Sequence, residues 1–232
     1  MQRERSGRSS FGKLYVVATP IGNLEDLSQR ALRILAEVSI IACEDTRHTK
    51  KLLKRYEIKN KLISYFQPKE KTKAQRIIEI IREGKDVALV SDAGTPGISD
   101  PGFPLIREAM IQGIKIIPIP GATALTAALS ASGLPSHRFL FLGFPPAKKE
   151  ATKKLLYSLK SETATLIFYL PPRKLAIFLK FVHEILGDRQ VVIAREMTKI
   201  YEEFLKGTPS ELIERFKEKT PKGEATLLIK GC

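Results

Sequence analysis

Four short segments concentrate the residues that can hold a ligand or move a proton. Residues 91–102 read SDAGTPGISDPG, with three Gly, two Pro and two Asp directly after an apolar run. Gly admits positive φ and lets backbone approach a ligand closely, and Pro stiffens the turn. An Asp in such a loop can accept hydrogen bonds from ribose hydroxyls or an amine. A long, rigid connection in a compact domain points to binding rather than to mere linkage. Similar texture follows three other apolar runs, at 18–26 (ATPIGNLED), 44–47 (EDTR) and 118–124 (PIPGATA). Arginines recur where apolar runs end: Arg47, Arg173 in PPRK, and Arg195 with Lys199 in REMTK. A guanidinium at a strand end suits phosphate recognition.

Several familiar chemistries are missing. The chain contains no GxxxxGK[ST], no GxGxxG after its first apolar run and no GxSxG. That argues against a P-loop, a standard dinucleotide fingerprint and an α/β-hydrolase. His48, His137 and His183 share no metal-ligand spacing, so no metal site is expected. Cys43 and Cys232 are too few for a disulfide framework and fit a reducing, cytoplasmic setting.

These segments need rigid elements to position them. Apolar runs at 14–18, 39–43, 62–65, 86–90 and 115–119 predict strands, interleaved with helical spacing at 27–37, 46–56, 70–83, 103–111 and 122–132. Near-continuous apolar character at 86–90 predicts a parallel strand covered on both faces. Beyond 134 the texture changes. Strands are expected at 139–144, 164–170, 190–194, 200–204 and 225–230, and helices at 148–159, 174–186 and 209–219. The expected organisation is a flexible basic arm at 1–12, an N-terminal α/β domain at 13–134 and a C-terminal α/β domain at 135–232. In open α/β sheets ligands bind beyond the carboxyl ends of strands, where all four segments fall.

Charge narrows the partner. Thirty-nine Lys and Arg against 25 Asp and Glu leave a net +14 in 232 residues. Such an excess favours a polyanion, nucleic acid before acidic membrane surface or a small acidic substrate. No apolar run approaches the roughly 18 residues of a membrane span.

The runs LYVVATPIGNLEDLS (14–28), IIACEDTRHTKKLL (40–53), VSDAGTPGISDPG (90–102), PGATALTAALSASGLP (120–135) and REMTKIYEEF (195–204) resemble the ribosomal RNA small-subunit methyltransferase I family, within the tetrapyrrole methylases. The resemblance runs from about residue 13 to 230. It implies two α/β lobes with a cofactor cleft between them, S-adenosylmethionine as cofactor, and a homodimer. The implied reaction is 2′-O-methylation of a cytidine in the decoding region of small-subunit ribosomal RNA. By position, the cofactor would meet Pro20, Asp92, Gly94, Thr95, Thr123, Ala124, Leu170 and Ala194. Some relatives add a C-terminal helical segment. This chain ends at Cys232, and its basic surface is expected to take over RNA contacts made there.

Methyl transfer to a ribose hydroxyl gains most from orientation, plus a base within about 2.6–3.2 Å of the proton. Candidate bases are Glu44, Asp45 and Glu196, with Glu196 favoured. Arg47, Arg173, Arg195 and Lys199 are the expected grips on RNA. Tyr65, Phe66 and Tyr169 are possible stacking platforms, although core packing is the commoner role of such residues. Two rivals remain: a precorrin-type methylase acting on an acidic tetrapyrrole, and a non-catalytic RNA-binding assembly factor. The second leaves the Gly- and Pro-rich loops without a purpose.

Overall fold

A computed structural model describes residues 11–66, 70–218 and 222–232. The chain divides into two compact units, Met1–Ala122 and Thr123–Cys232. Most of the expected arm (1–10) lies outside the described residues. Gly12 is already anchored, its N–H donating to Ile81 O at 2.8 Å.

In the first unit β1 (Leu14–Val17), β2 (Ile40–Cys43), β3 (Leu62–Ser64), β4 (Val87–Val90) and β5 (Ile116–Ile119) form one parallel sheet in the order β3-β2-β4-β1-β5. Parallel strands require crossovers, supplied by α1 (Gln29–Glu37), α2 (Thr46–Arg55), α3 (Glu70–Arg82) and α4 (Phe103–Ile111). Their apolar stripes cover both faces of the sheet. Ala31, Leu35, Leu52 and Leu53 pack with Val17, Ile41 and Val90, while Ile77, Ile81, Leu105 and Ala109 pack with Leu14, Val87 and Leu89. All four residues of β4 are therefore buried, as its sequence predicts. Pro118, which has no N–H, is tolerated because β5 is an edge strand. α1 begins two residues later than its apolar spacing suggests because Ser28 Oγ caps it, accepting the Ala31 N–H at 3.1 Å.

The second unit holds α5 (Ala124–Ser132), α6 (Lys149–Ser158), α7 (Pro172–Leu186), α8 (Pro209–Glu218) and a mixed sheet. Its strands are β6 (Phe139–Gly143), β7 (Thr165–Leu170), β8 (Val191–Arg195), β9 (Glu203–Gly207) and β10 (Ala225–Ile229), in the order β6-β7-β10-β8-β9. Only β6 and β7 pair in parallel. Alternate residues Leu166, Phe168, Leu170, Ile193 and Leu227 pack under α6, α7 and α8. α5 packs against β8 and β10. It was expected with the first domain. Its buried Leu125, Ala128 and Leu129 put it instead in the second unit, upstream of the texture change at 134.

Expected and observed spans agree within two residues at each end, with one exception. The strand expected at 200–204 lies at Glu203–Gly207. Glu196 and Thr198 take left-handed φ of 49° and 64°, and the Thr198 N–H donates to Glu202 Oε2 at 2.6 Å. Residues 196–202 are thereby committed to turns, leaving Ile200 and Tyr201 exposed. The last residue of the expected helix at 209–219 lies outside the described residues.

Candidate functional site

The order β2-β4-β1-β5 sets the loops after these strands side by side at the carboxyl edge of the first sheet. Backbone bonds lock them. Thr19 N–H donates to Gly94 O at 2.8 Å and Gly94 N–H to Thr19 O at 3.0 Å. Buried Thr19 Oγ1 donates to Ser91 O at 3.0 Å, Ser91 Oγ to Gly94 O at 3.1 Å, and Thr95 Oγ1 to Ala122 O at 3.2 Å. Glycine is needed where the loops press closest. A Cβ on Gly121 would come within 2.9 Å of the Ala18 Cβ. Gly102, at φ +153°, would place one 2.9 Å from Gly97 N.

The loops after β2 and β4, the end of β3 and the start of α2 line an open cavity of about 820 Å³ in the first unit. Its lining includes Glu44, Asp45, Arg47, Phe66, Asp92 and Asp100. The carboxylates are not equivalent. Asp45 is the N-cap of α2, its Oδ1 accepting the Arg47 N–H at 2.8 Å. Arg47 Nη2 meets its other oxygen at 2.8 Å, and these bonds hold the Asp45 carboxyl well below the usual range. Burial, then the nearby charges of Asp92, Glu70 and Asp45, push Glu44 up. Burial first, then Glu44 and Asp92, push Asp100 up to about 6, against an opposing hydrogen bond with Ser91. Asp92 Oδ1 accepts the Asp45 N–H at 3.1 Å, which ties the 91–102 loop to α2.

Asp100 was absent from the sequence-derived site. Its signal was present, a second Asp in the 91–102 run, but nothing in the order of residues shows that the loop folds it towards Glu44.

In the second unit, Leu170 and Arg195 flank Ala225 in neighbouring strands. Leu170 and Ala194 are buried, and Thr123 and Ala124 open α5 half-buried. Arg195, Glu196 and Lys199 do come together, but their charges are largely taken up by one another and by Glu203 and Glu224. Arg195 Nη1 meets Glu203 Oε2 at 3.0 Å, and its Nη2 donates to Lys222 O at 2.9 Å. Lys199 Nζ bridges Glu196 Oε1 (3.1 Å) and Glu224 Oε2 (2.8 Å). The Glu224 N–H donates to Glu196 Oε1 at 2.8 Å, and this bond together with Lys199 pulls the Glu196 carboxyl down. A Cβ on Gly223 would lie 2.1 Å from Glu196 Oε1, so that carboxylate is packed against bare backbone. Arg173, in the first turn of α7, is exposed and makes no ion pair among the described residues.

Tyr65 is a core residue, 1% exposed, whose Oη accepts the Leu105 N–H at 3.2 Å. Tyr169 Oη accepts the Leu125 N–H at 3.0 Å, and its ring meets Phe141 edge-on. Of the three rings considered for stacking, Phe66 alone lines the cavity, with Lys73 Nζ 4.2 Å from its centroid. Among the described residues no cluster of His, Cys, Asp or Glu is arranged to hold a metal, and no helix is long and apolar enough to cross a membrane. Both cysteines are free, Cys43 buried and Cys232 exposed.

A family model described as Tetrapyrrole (Corrin/Porphyrin) Methylases matches residues 13–213. The chain is 50% identical over 230 residues to Ribosomal RNA small subunit methyltransferase I of Halalkalibacterium halodurans, covering 99% of this chain and 80% of that protein. It is 47% identical over 221 residues to the protein of the same name from Thermotoga maritima, covering 95% and 99%. Its fold is similar to that of uroporphyrin-III-C-methyltransferase from Thermus thermophilus, with a TM-score of 0.67 at 23% identity over 94% of each chain.

Proposed function

Because the chain belongs to the ribosomal RNA small subunit methyltransferase I family of tetrapyrrole methylases, we propose that it 2′-O-methylates a cytidine in the decoding region of small-subunit ribosomal RNA. The observation that carries this reading is the cavity at the sheet edge, where Glu44 and Asp100 face the same space with raised proton affinity.

S-adenosylmethionine is the cofactor, and when bound it supplies a methyl group on a positively charged sulfur. The loops fit such a group. They are held rigid by the Thr19–Gly94 backbone bonds and by Thr95 Oγ1 on Ala122 O, and Pro20, Asp92, Gly94 and Thr95 are the proposed donor contacts of the first unit. Leu170, Ala194, Thr123 and Ala124 are the proposed donor contacts of the second unit.

A ribose 2′-OH attacks well only as its proton leaves. Glu44 is the proposed base: it lines the cavity and makes no salt bridge among the described residues. Asp100 is its proposed partner in a coupled pair that shares a proton, since like charges in one recess resist ionising together. Asp45 fixes the start of α2 and holds Arg47 for a phosphate. Glu196 positions Lys199. Arg173, Arg195 and Lys199 are proposed RNA contacts in the second unit, with Arg173 the least encumbered.

Four carboxylates around the cavity disfavour an acidic tetrapyrrole, which they would repel, but not a neutral ribose hydroxyl. Labelled donor offered with small ribosomal subunits, naked small-subunit RNA or uroporphyrinogen tests the reading directly. Label in one ribose of the RNA, located by mass mapping, is expected. Label in the tetrapyrrole, or in a nucleobase, overturns it. A homodimer belongs to the same proposal, and sedimentation at working concentration checks it.

A further inference from the structure

A second recess of about 1120 Å³ runs along α2 in the first unit. It adjoins the carboxylate cavity, because Thr46 and Arg47 line both. Its character is the reverse. Arg47, Lys50 and Lys54 lie at i, i+3 and i+7, on one stripe of the helix, and Lys59 joins them from the segment after it. The helical rise separates Lys50 from Lys54 by about 6 Å along the axis, and Arg47 from Lys54 by about 10 Å. Glu57 is the one carboxylate among the described residues lining it, and Leu53, Ile58 and Leu62 supply an apolar floor.

Lys50, Lys54 and Lys59 are exposed and enter no salt bridge among the described residues. They differ in this from Arg195 and Lys199, whose charge is already taken up by Glu203, Glu196 and Glu224. The wall carrying Lys59 is fixed. Asn60 Nδ2 donates to Leu35 O and Val38 O at 2.8 Å each, and the Ile58 N–H donates to Leu53 O at 3.0 Å. Glu57 makes the turn between helix and wall at a left-handed φ of 57°.

A cationic, apolar-floored groove beside an anionic cavity sorts the parts of a nucleotide. Phosphates are attracted to the groove and repelled from the cavity, bases find an apolar bed, and a neutral sugar edge can face the carboxylates. We infer that this groove binds an unpaired stretch of the RNA substrate, its phosphates on Lys50, Lys54 and Lys59, and leads the acceptor nucleotide past Arg47 to Glu44. The inference rests on the ribosomal RNA reading above.

Replacing Lys50, Lys54 and Lys59 together by Gln tests it. A control changes Lys115, Lys154 and Lys180, exposed elsewhere, by the same charge. Binding of a small-subunit RNA fragment is measured against salt, methylation is resolved into kcat and KM, and donor binding is followed by calorimetry. The groove variant should bind RNA roughly tenfold or more weakly, with a log–log salt slope shallower by about 2, since each phosphate contact on a single strand contributes about 0.7. Its loss of methylation should lie mainly in KM, with donor affinity retained, and the control should match the wild type. An unchanged salt slope, or an equal loss in the control, overturns the groove while leaving the methylation reading intact. Intact RNA binding with lost binding to anionic lipid vesicles overturns it as well. A wild-type protein that binds donor but neither binds nor methylates the RNA removes the reading and the groove together.

Discussion

Glu44 and Glu196 follow apolar strands, each within three residues of an arginine or lysine, and as residues in a sequence they are equal candidates for a base. Their surroundings separate them. Burial first, then the charges of Asp92, Glu70 and Asp45, raise the proton affinity of Glu44. Glu196 accepts the Glu224 N–H and meets Lys199, and its carboxyl is pulled down. A carboxylate already stabilised by donors has little appetite for another proton, whereas one crowded by other carboxylates is poised to take it. What qualifies a carboxylate for proton transfer here is the lack of a cation, not its presence.

The sharpest way to break this contrast is to neutralise each member. Glu44→Gln should lower the single-turnover methylation rate by about 10² or more, the usual worth of a general base, with donor affinity unchanged by calorimetry. Asp100→Asn should cost less, about tenfold, and should move the acid limb of the rate profile, because it removes one partner of the coupled pair. Its stability effect has a definite sign. A carboxyl whose folded value is about 6 against 3.8 when unperturbed favours the folded state most below 3.8, and that contribution is lost as pH rises through 6. Asp100→Asn should therefore melt higher than wild type at pH 7.5, with the gain vanishing near pH 4. Tyr65→Phe tests the frame rather than the chemistry. It leaves the Leu105 N–H without its acceptor in the core and should cost about 1–3 kcal/mol in denaturant unfolding. Glu196→Gln should be mildest, within about threefold in rate, acting only through the placement of Lys199. A loss as large as that of Glu44→Gln would erase the distinction between the two regions.

The frame was largely legible. Continuous apolar strands, amphipathic helices and Gly- and Pro-rich strand ends are local patterns, and β4 or α4 can be read from them because burial and period agree. Pairing is not local. The order β3-β2-β4-β1-β5, which brings 18–26, 44–47 and 91–102 together, cannot be read from any one segment, and Asp100 was missed for that reason. The base candidates were named by type and neighbour. Arg47 beside Asp45 looked like a phosphate grip, yet the carboxylate also caps α2 and occupies the guanidinium. REMTK looked like a basic cluster, but Glu203, Glu202 and Glu224 arrive from elsewhere in the fold to meet it. The β9 shift has the same origin, since positive φ at Glu196 and Thr198 is not written in an apolar run.

The most direct measurement is the single-turnover rate of methyl transfer to small-subunit RNA against pH, for wild type and Glu44→Gln with donor and RNA saturating. A wild-type rate that climbs with an apparent pKa above the ordinary carboxylate range, and a variant slower by about 10² whose acid limb has flattened, is the expected result. A variant that keeps the wild-type rate and profile would contradict the assignment of proton transfer to the first unit's carboxylates.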